Sequence, residues 1–357
     1  MKFAKFVIVS LIILSCSDDD GPTNIRQPEW TKLGLDGKVV NELHLSGSTL
    51  FAATTTGLFK KDLNSSGDFV QVAFAGKNVD AFEIVEGSTM IASLFDKSGS
   101  EPPALFRSTN GGQDWDELES NYGGTHPEPA IDLEVHPVHK NIIYATGLWV
   151  VAKSEDGGVN WEPIFGQWGG IGTGVSVVEV NPNNTSELWA GGQGAIENGF
   201  LLRTENEEDW DTWNDLVDNP TVVKEISFAD DNPDNILVGF EGALIKTVDG
   251  GQNWKTVIES EQNRFYFGIG RGRNEKRVYA GGWLKTPDPQ PLILFVSDDG
   301  GETWKEEKYV SEQYGGIFEM LVTSQENEDV LYIGLDKGGV YRVRLRGGWH
   351  DFFNPFG

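Results

Sequence analysis

Four stretches of this chain repeat one eight-residue pattern without a gap, and that repetition limits the possible folds more than any other feature. They are Ser108–Trp115 (STNGGQDW), Ser154–Trp161 (SEDGGVNW), Thr247–Trp254 (TVDGGQNW) and Ser297–Trp304 (SDDGGETW). The shared form is Ser or Thr, any residue, Asp or Asn, Gly-Gly, two residues of any kind, then Trp. Asp or Asn followed by Gly-Gly favours a tight hairpin turn that needs positive φ. The hydroxyl of Ser108, Ser154, Thr247 or Ser297 can bond amides within such a turn, as can the polar group of Asn110, Asp156, Asp249 or Asp299. Trp115, Trp161, Trp254 and Trp304 lead the next strand and bury a large ring. These residues read as architecture rather than as catalysis.

The boxes begin at 108, 154, 247 and 297, at intervals of 46, 93 and 50. The long interval hides a worn copy at Thr204–Trp210 (TENEEDW). One step upstream lies Asp62, in a turn before Phe69, and one step downstream lies Val343, within the strand-like Val340–Leu345. Seven units result. The seventh lacks its last strand, which Glu29–Leu35 can supply, with Trp30 in the place of a box Trp. In the third unit the predicted strands are 131–135, 141–146, 148–153 and 161–165. In the fifth they are 226–228, 235–239, 243–246 and 254–258. Some 46 residues per unit suits a four-stranded blade. The sequence therefore predicts an all-β, seven-bladed propeller over 29–347, with four-stranded antiparallel blades and an N-terminal strand closing the last one. The 44 glycines, set between short apolar runs, agree with many short strands and tight turns. Residues 348–357 form an aromatic tail (Trp349, Phe352, Phe353, Phe356) expected to cap the last blade.

Residues 1–15 read as a targeting segment. Lys2 and Lys5 give it a positive end, and Phe6–Leu14 is an apolar run too short to span a bilayer. Cys16 is the only cysteine, which excludes an internal disulfide. Three aspartates, Asp18, Asp19 and Asp20, follow it, and residues 16–28 make a tether. Ile13-Leu14-Ser15-Cys16 resembles a bacterial lipobox. Ser17–Asp20 resembles the acidic export signal of Bacteroidetes surface lipoproteins. These resemblances imply lipidation at Cys16 and an outer-membrane protein, lipid-anchored and facing the cell exterior.

The formal charge is −27, and −29 without Lys2 and Lys5. Such a surface repels phosphate backbones, so nucleic acid is not an expected partner. Anionic lipid and polyanionic glycans are repelled too, and membrane contact is expected only through the anchor. Neutral glycans, cations and basic protein patches remain. Aligning the inner strands puts Glu42, Asp132, Glu225 and Glu319 at one position, with Tyr266 in the sixth unit. A slip of one residue would flip the face. If they converge, they form a channel mouth able to hold sugar hydroxyls, a basic peptide or a cation such as calcium; otherwise they line a hydrated opening. Long insertions between second and third strands, near Pro102, Ile196 and Pro289, are a further place for function. Trp168 and Trp283, near glycine pairs, suit stacking on sugar rings or packing between blades. His136 and His139 share a turn with no third metal ligand, and Gly268–Gly272 and Gly170–Gly174 precede no helix, so neither zinc nor a phosphate cradle is expected. No cofactor is expected.

The boxes resemble the Asp-box, or BNR, repeat. Propellers built from it include sialidases, xyloglucanases, sortilin-like receptors and a photosystem II assembly factor. The resemblance covers 29–347 and implies a fold rather than a function. Sialidases use six blades, an Arg-Ile-Pro motif, an arginine triad and a Tyr–Glu pair; here only Ile25-Arg26-Gln27-Pro28 echoes the motif. Xyloglucanases pair two propellers round a cleft with a carboxylate acid and base, and one propeller does not make that cleft. The assembly factor is a single seven-bladed ring that binds protein. The resulting expectation is a cell-surface lipoprotein serving as a non-catalytic platform for a protein partner or a glycan. The alternative is a glycoside hydrolase or lyase using two channel-mouth carboxylates as acid and base.

Overall fold

The computed structural model describes residues 28–346 apart from 167–173, 195–198, 218–220, 260–262, 274–275, 287–288, 310–312 and 326–327. The tether, Cys16, Trp168, Ile196 and the aromatic tail lie outside the described residues. Among the described residues there are 28 strands and no helix. They form seven separate four-stranded antiparallel sheets. Six blades use four consecutive strands each. In the third these are Asp132–Val135, Ile143–Gly147, Val150–Ser154 and Glu162–Gly166, and in the fifth Val223–Ala229, Asn232–Phe240, Ala243–Thr247 and Lys255–Glu259.

The seventh blade is composite. Its inner three strands are Ile317–Gln325, Glu328–Leu335 and Gly339–Arg346, and its fourth is Glu29–Gly34 from the other end of the chain. Trp30 pairs with Val343 in this antiparallel ladder. Its ring stacks on Tyr309 of the sixth blade at 5.1 Å. The free edge of the last blade is thereby covered, as a closed ring requires.

The cores lie between blades, not within one central mass. Ile91 and Leu105 of the second blade share a cluster with Leu133, Ile143 and Ala145 of the third, against the box ring Trp161. Val177, Trp189 and Leu201 of the fourth join Ile226, Val238 and Ile245 of the fifth. Blades converge toward the axis, so the second strand has little room where the next inner strand approaches. A Cβ on Gly191 would fall 2.6 Å from Val223, and one on Gly334 would fall 2.6 Å from Val40. The second contact joins the seventh blade to the first, and glycine at that position is what lets the ring close.

Strand direction fixes two faces. Inner strands begin, and second-to-third-strand loops lie, on one face, which is the channel mouth. The box turns, between third and fourth strands, lie on the other.

Candidate functional site

Each box is a hydrogen-bonded unit. The Ser297 hydroxyl donates to Asp299 Oδ1 (2.8 Å), and its oxygen accepts the Gly301 N–H (2.8 Å). Asp299 accepts the N–H groups of Glu302 and Thr303, and Trp304 Nε1–H donates to the Gly301 carbonyl at 3.2 Å. Burial alone would raise the Asp299 pKa. Bonds from Thr303, Ser297 and Glu302 outweigh it and hold the carboxyl at about 2. Ser108 with Asn110, Ser154 with Asp156, and Thr247 with Asp249 repeat the geometry. Trp115 and Trp161 also bond their own box carbonyls, of Gly112 and Gly158. The fifth blade differs: Trp213 of the fourth blade, rather than Trp254, takes the Gly251 carbonyl at 3.1 Å. The worn copy keeps the Thr204–Asn206 pair, and Glu207 stands at φ +62° where the other boxes place glycine. The Glu207 carboxylate accepts from Tyr144 and Lys153. These residues sit on the face opposite the channel mouth.

Inside the channel, Glu42, Asp132, Glu225 and Glu319 do occupy one register. They stand opposite Ala53, Thr146, Gly239 and Gly334 of their second strands. Their charges feel one another: Asp132 raises Glu42, Glu319 raises Glu225, and Glu42 raises Glu319, in each case after burial, the larger cause. Burial also pushes Asp132 up to about 7. Tyr266 is not in this ring. It pairs with Gly282 and is fully buried, two residues earlier, and Gly268 fills the carboxylate position of the sixth blade. Phe265, Tyr266 and Phe267 stand in succession there, so no alternation fixes the register of that strand.

Two residues further along, on the same side, lies a second ring that the alignment missed. His44, Glu83, Glu134 and Glu179 pair with Phe51, Ile91, Tyr144 and Trp189. Burial, then Glu134 and Glu225, raise Glu179, while burial pushes Glu83 and Glu134 up to about 8. His44 lies 3.6 Å from Glu42 and 3.7 Å from Glu83. A cavity of 260 Å³ opens beside Glu134, Glu179, Glu225 and Ser227. Two of the mouth carboxylates also serve the fold. Glu42 accepts the Phe82 N–H, and Asp132 accepts the Val178 N–H at 2.8 Å, each across to the next blade. Inner strands have no ladder partner on the channel side, so such acceptors satisfy otherwise orphaned donors. Among the described residues no three His, Cys, Asp or Glu side chains are grouped to hold a metal ion, so the calcium expectation finds no ligand set there.

The mouth itself is built by bulges. Six inner strands carry one, at Asn41, Asp80, Ser176, Lys224, Phe267 and Phe318. A bulge adds one residue and re-aims its side chain. The contacts of these residues pass from blade to blade. Asn41 donates to the Val79 carbonyl and Ser176 to that of Val223. Lys224 stands 5.1 Å over the Phe267 ring, and Phe267 meets Phe318 at 4.8 Å. Trp283 is half-buried beside Phe318 (5.7 Å) and Phe265 (5.7 Å), with its Nε1–H on Asp336. One side of the mouth is thus aromatic, and the rest is polar. The second blade's long loop holds exposed Pro102, and its Lys97 pairs with Asp80 at 2.9 Å. The sixth blade's loop exposes Pro289 but is pinned by buried Gln290, which bonds the Leu284 backbone.

The BNR/Asp-box repeat description matches residues 295–306, around the last full box. Among solved structures, the chain is similar to the GH74 xyloglucanase from Xanthomonas campestris, with TM-score 0.64 and 13% identity, over 88% of this chain and 53% of that one. It is similar to the extracellular domain of a one component system protein from B. thetaiotaomicron (TM-score 0.64, 12% identity, 88% of this chain and 40% of that one). It is also similar to the WD40 beta propeller domain of Doa1 (0.62, 10%, 89% and 96%). The chain spans about half the length of the xyloglucanase, and at such identities these likenesses show the propeller fold alone. No curated protein matches the chain in sequence.

Proposed function

We propose that this protein is an exported, lipid-anchored binding platform that takes a glycan at its channel mouth without cleaving it. The observation that carries this reading is the aromatic side of the mouth, where Phe267, Phe318 and Trp283 gather beside polar bulge residues. Flat aromatic faces next to hydrogen-bonding groups suit the apolar face and hydroxyl rim of a sugar ring. Glu42 and Asp132 spend acceptor capacity on the next blade's N–H groups, which suits wall residues better than a separated acid and base. The lipobox-like segment and lone Cys16 support the anchor.

Glycan hydrolysis is the second reading, favoured by the clustered carboxyls and the likeness to a GH74 xyloglucanase. The deciding experiment titrates purified protein with a panel of oligosaccharides and assays the same mixtures for new reducing ends. Binding without new ends is the expected result. Replacing Phe267 and Phe318 together by Ala should weaken it roughly tenfold, about 1.4 kcal/mol. New reducing ends would establish the hydrolase instead, and equal binding by the double variant would move the site elsewhere. Cys16→Ala should abolish labelling by a fatty-acid analogue, and equal labelling would overturn the anchor.

A further inference from the structure

Lys224 is an unusual lysine for this chain. It sits at the bulge of the fifth inner strand, set into the channel wall, and burial followed by repulsion from Lys97 pushes its pKa down to about 8. Among the described residues it makes no ion pair and no hydrogen bond, and its one specific contact is the Phe267 ring. Four other sheltered cations are paired with carboxylates: Lys153 with Glu207, Lys246 with Glu302, Arg203 with Glu187 and Arg277 with Asp298. With 55 acidic residues against 28 basic ones, carboxylates are the most available partners in the molecule. The two acids whose fields reach Lys224 are engaged elsewhere. Asp80 holds Lys97 and Asn78, and Glu241 takes the Thr221 hydroxyl. An ammonium half-withdrawn from water is costly unless an anion offsets it.

We propose that the mouth recognises an acidic sugar, with a hexuronic acid ring stacked on Phe267 and Phe318 and its carboxylate on Lys224, Lys97 lying close by. The proposal rests on the glycan reading above and names the sugar. An anion beside Lys224 offsets the repulsion it feels from Lys97, and a pyranose face fits the Phe267 ring that borders Lys224 and the Phe318 ring next to it. The charge of the whole molecule limits the class further. A chain at −27 repels polyanions at long range. A single uronic acid on a neutral oligosaccharide meets that condition.

The test is calorimetry at pH 7 on the full chain with three probes: xylotriose, the same backbone bearing one glucuronic acid branch, and inorganic phosphate. The acidic oligosaccharide should bind at least tenfold more tightly than the neutral one. Lys224→Met should erase that preference, so that the two sugars bind alike, and Lys224→Arg should keep it. A melting curve of each variant establishes that it folds. The preference should also fade as pH rises through 8 and Lys224 loses its proton, with Lys97, Asp80 and Glu241 the titratable groups facing it. Equal affinity for the two sugars, or a preference that survives Lys224→Met, overturns the acidic specificity and leaves the glycan reading standing. Phosphate binding as tightly as the acidic sugar reduces the site to a simple anion site. Binding of neither sugar overturns both.

Discussion

An aspartate that collects hydrogen bonds from its own turn is a stabiliser with a definite sign. Asp299 accepts from the Ser297 hydroxyl, two backbone N–H groups and the Thr303 hydroxyl. Its folded pKa of about 2 lies below the roughly 3.9 of an unfolded chain. The stability it contributes is therefore complete above pH 4 and lost as pH falls through 2. Asp299→Ala should cost roughly 1–3 kcal/mol in a urea melt at pH 7, because several donors lose their acceptor. A variant as stable as wild type would show that the box is ornamental. At this scale much was legible. The box residues act within a few positions of one another, so spacing alone conveys their roles. The bulge residues were not legible. Asn41, Asp80, Ser176, Lys224, Phe267 and Phe318 share a place in the fold but no chemistry, and nothing in a single strand announces an extra residue.

Among elements, the strand Glu29–Gly34 is the one that completes the last blade from the other end of the chain. It supplies one ladder to Gly339–Arg346 and buries part of Trp30 against Tyr309. Removing residues 29–34 exposes an edge in the last blade, and the lost ladder and ring packing amount to roughly 4 kcal/mol. The melting temperature should fall by roughly 10 °C. An unchanged value in the truncated protein would mean that the ring does not depend on this closure. The sequence placed this strand because Trp30 stands in the place of a box Trp. Strands of the third and fifth blades were placed within a few residues for a similar reason, since apolar alternation between turn residues marks them. The sixth inner strand was misread: Arg264–Arg271 carries Phe265, Tyr266 and Phe267 in succession, so no alternation shows which aromatic faces the channel. Only the ladder opposite Gly281 and Gly282 separates the buried Tyr266 from the channel-side Phe267. The second carboxyl ring escaped notice because it repeats in only three blades, at Glu83, Glu134 and Glu179.

For the molecule as a whole, the channel makes alkaline solution the unfavourable one. Burial holds Asp132 at about 7, and burial with repulsion from neighbouring carboxyls holds Glu83 and Glu134 at about 8. Unfolded carboxyls titrate near 4, so the folded state binds these protons more tightly. Their contribution is fully present below pH 4 and is lost as pH rises through 7 to 8. The box aspartates act in the opposite sense at the acid end, which puts greatest stability in the mildly acidic range. The melting temperature should be higher at pH 5.5 than at pH 8.5 by roughly 3 °C or more, and Glu83→Gln should narrow the gap. A higher value at pH 8.5 would contradict the sign. The borrowed strand of the last blade has one more consequence, for how the molecule is presented. It runs as the fourth strand of every blade does, from the box-turn face toward the channel mouth. Whatever precedes Pro28 therefore leaves from the box-turn face, and the third strand of that blade also ends there, at Arg346. In the anchored protein proposed above, a tether drawn from that face would point the channel mouth away from its point of attachment, like a cup held by its base, with the aromatic lip turned toward the surrounding medium.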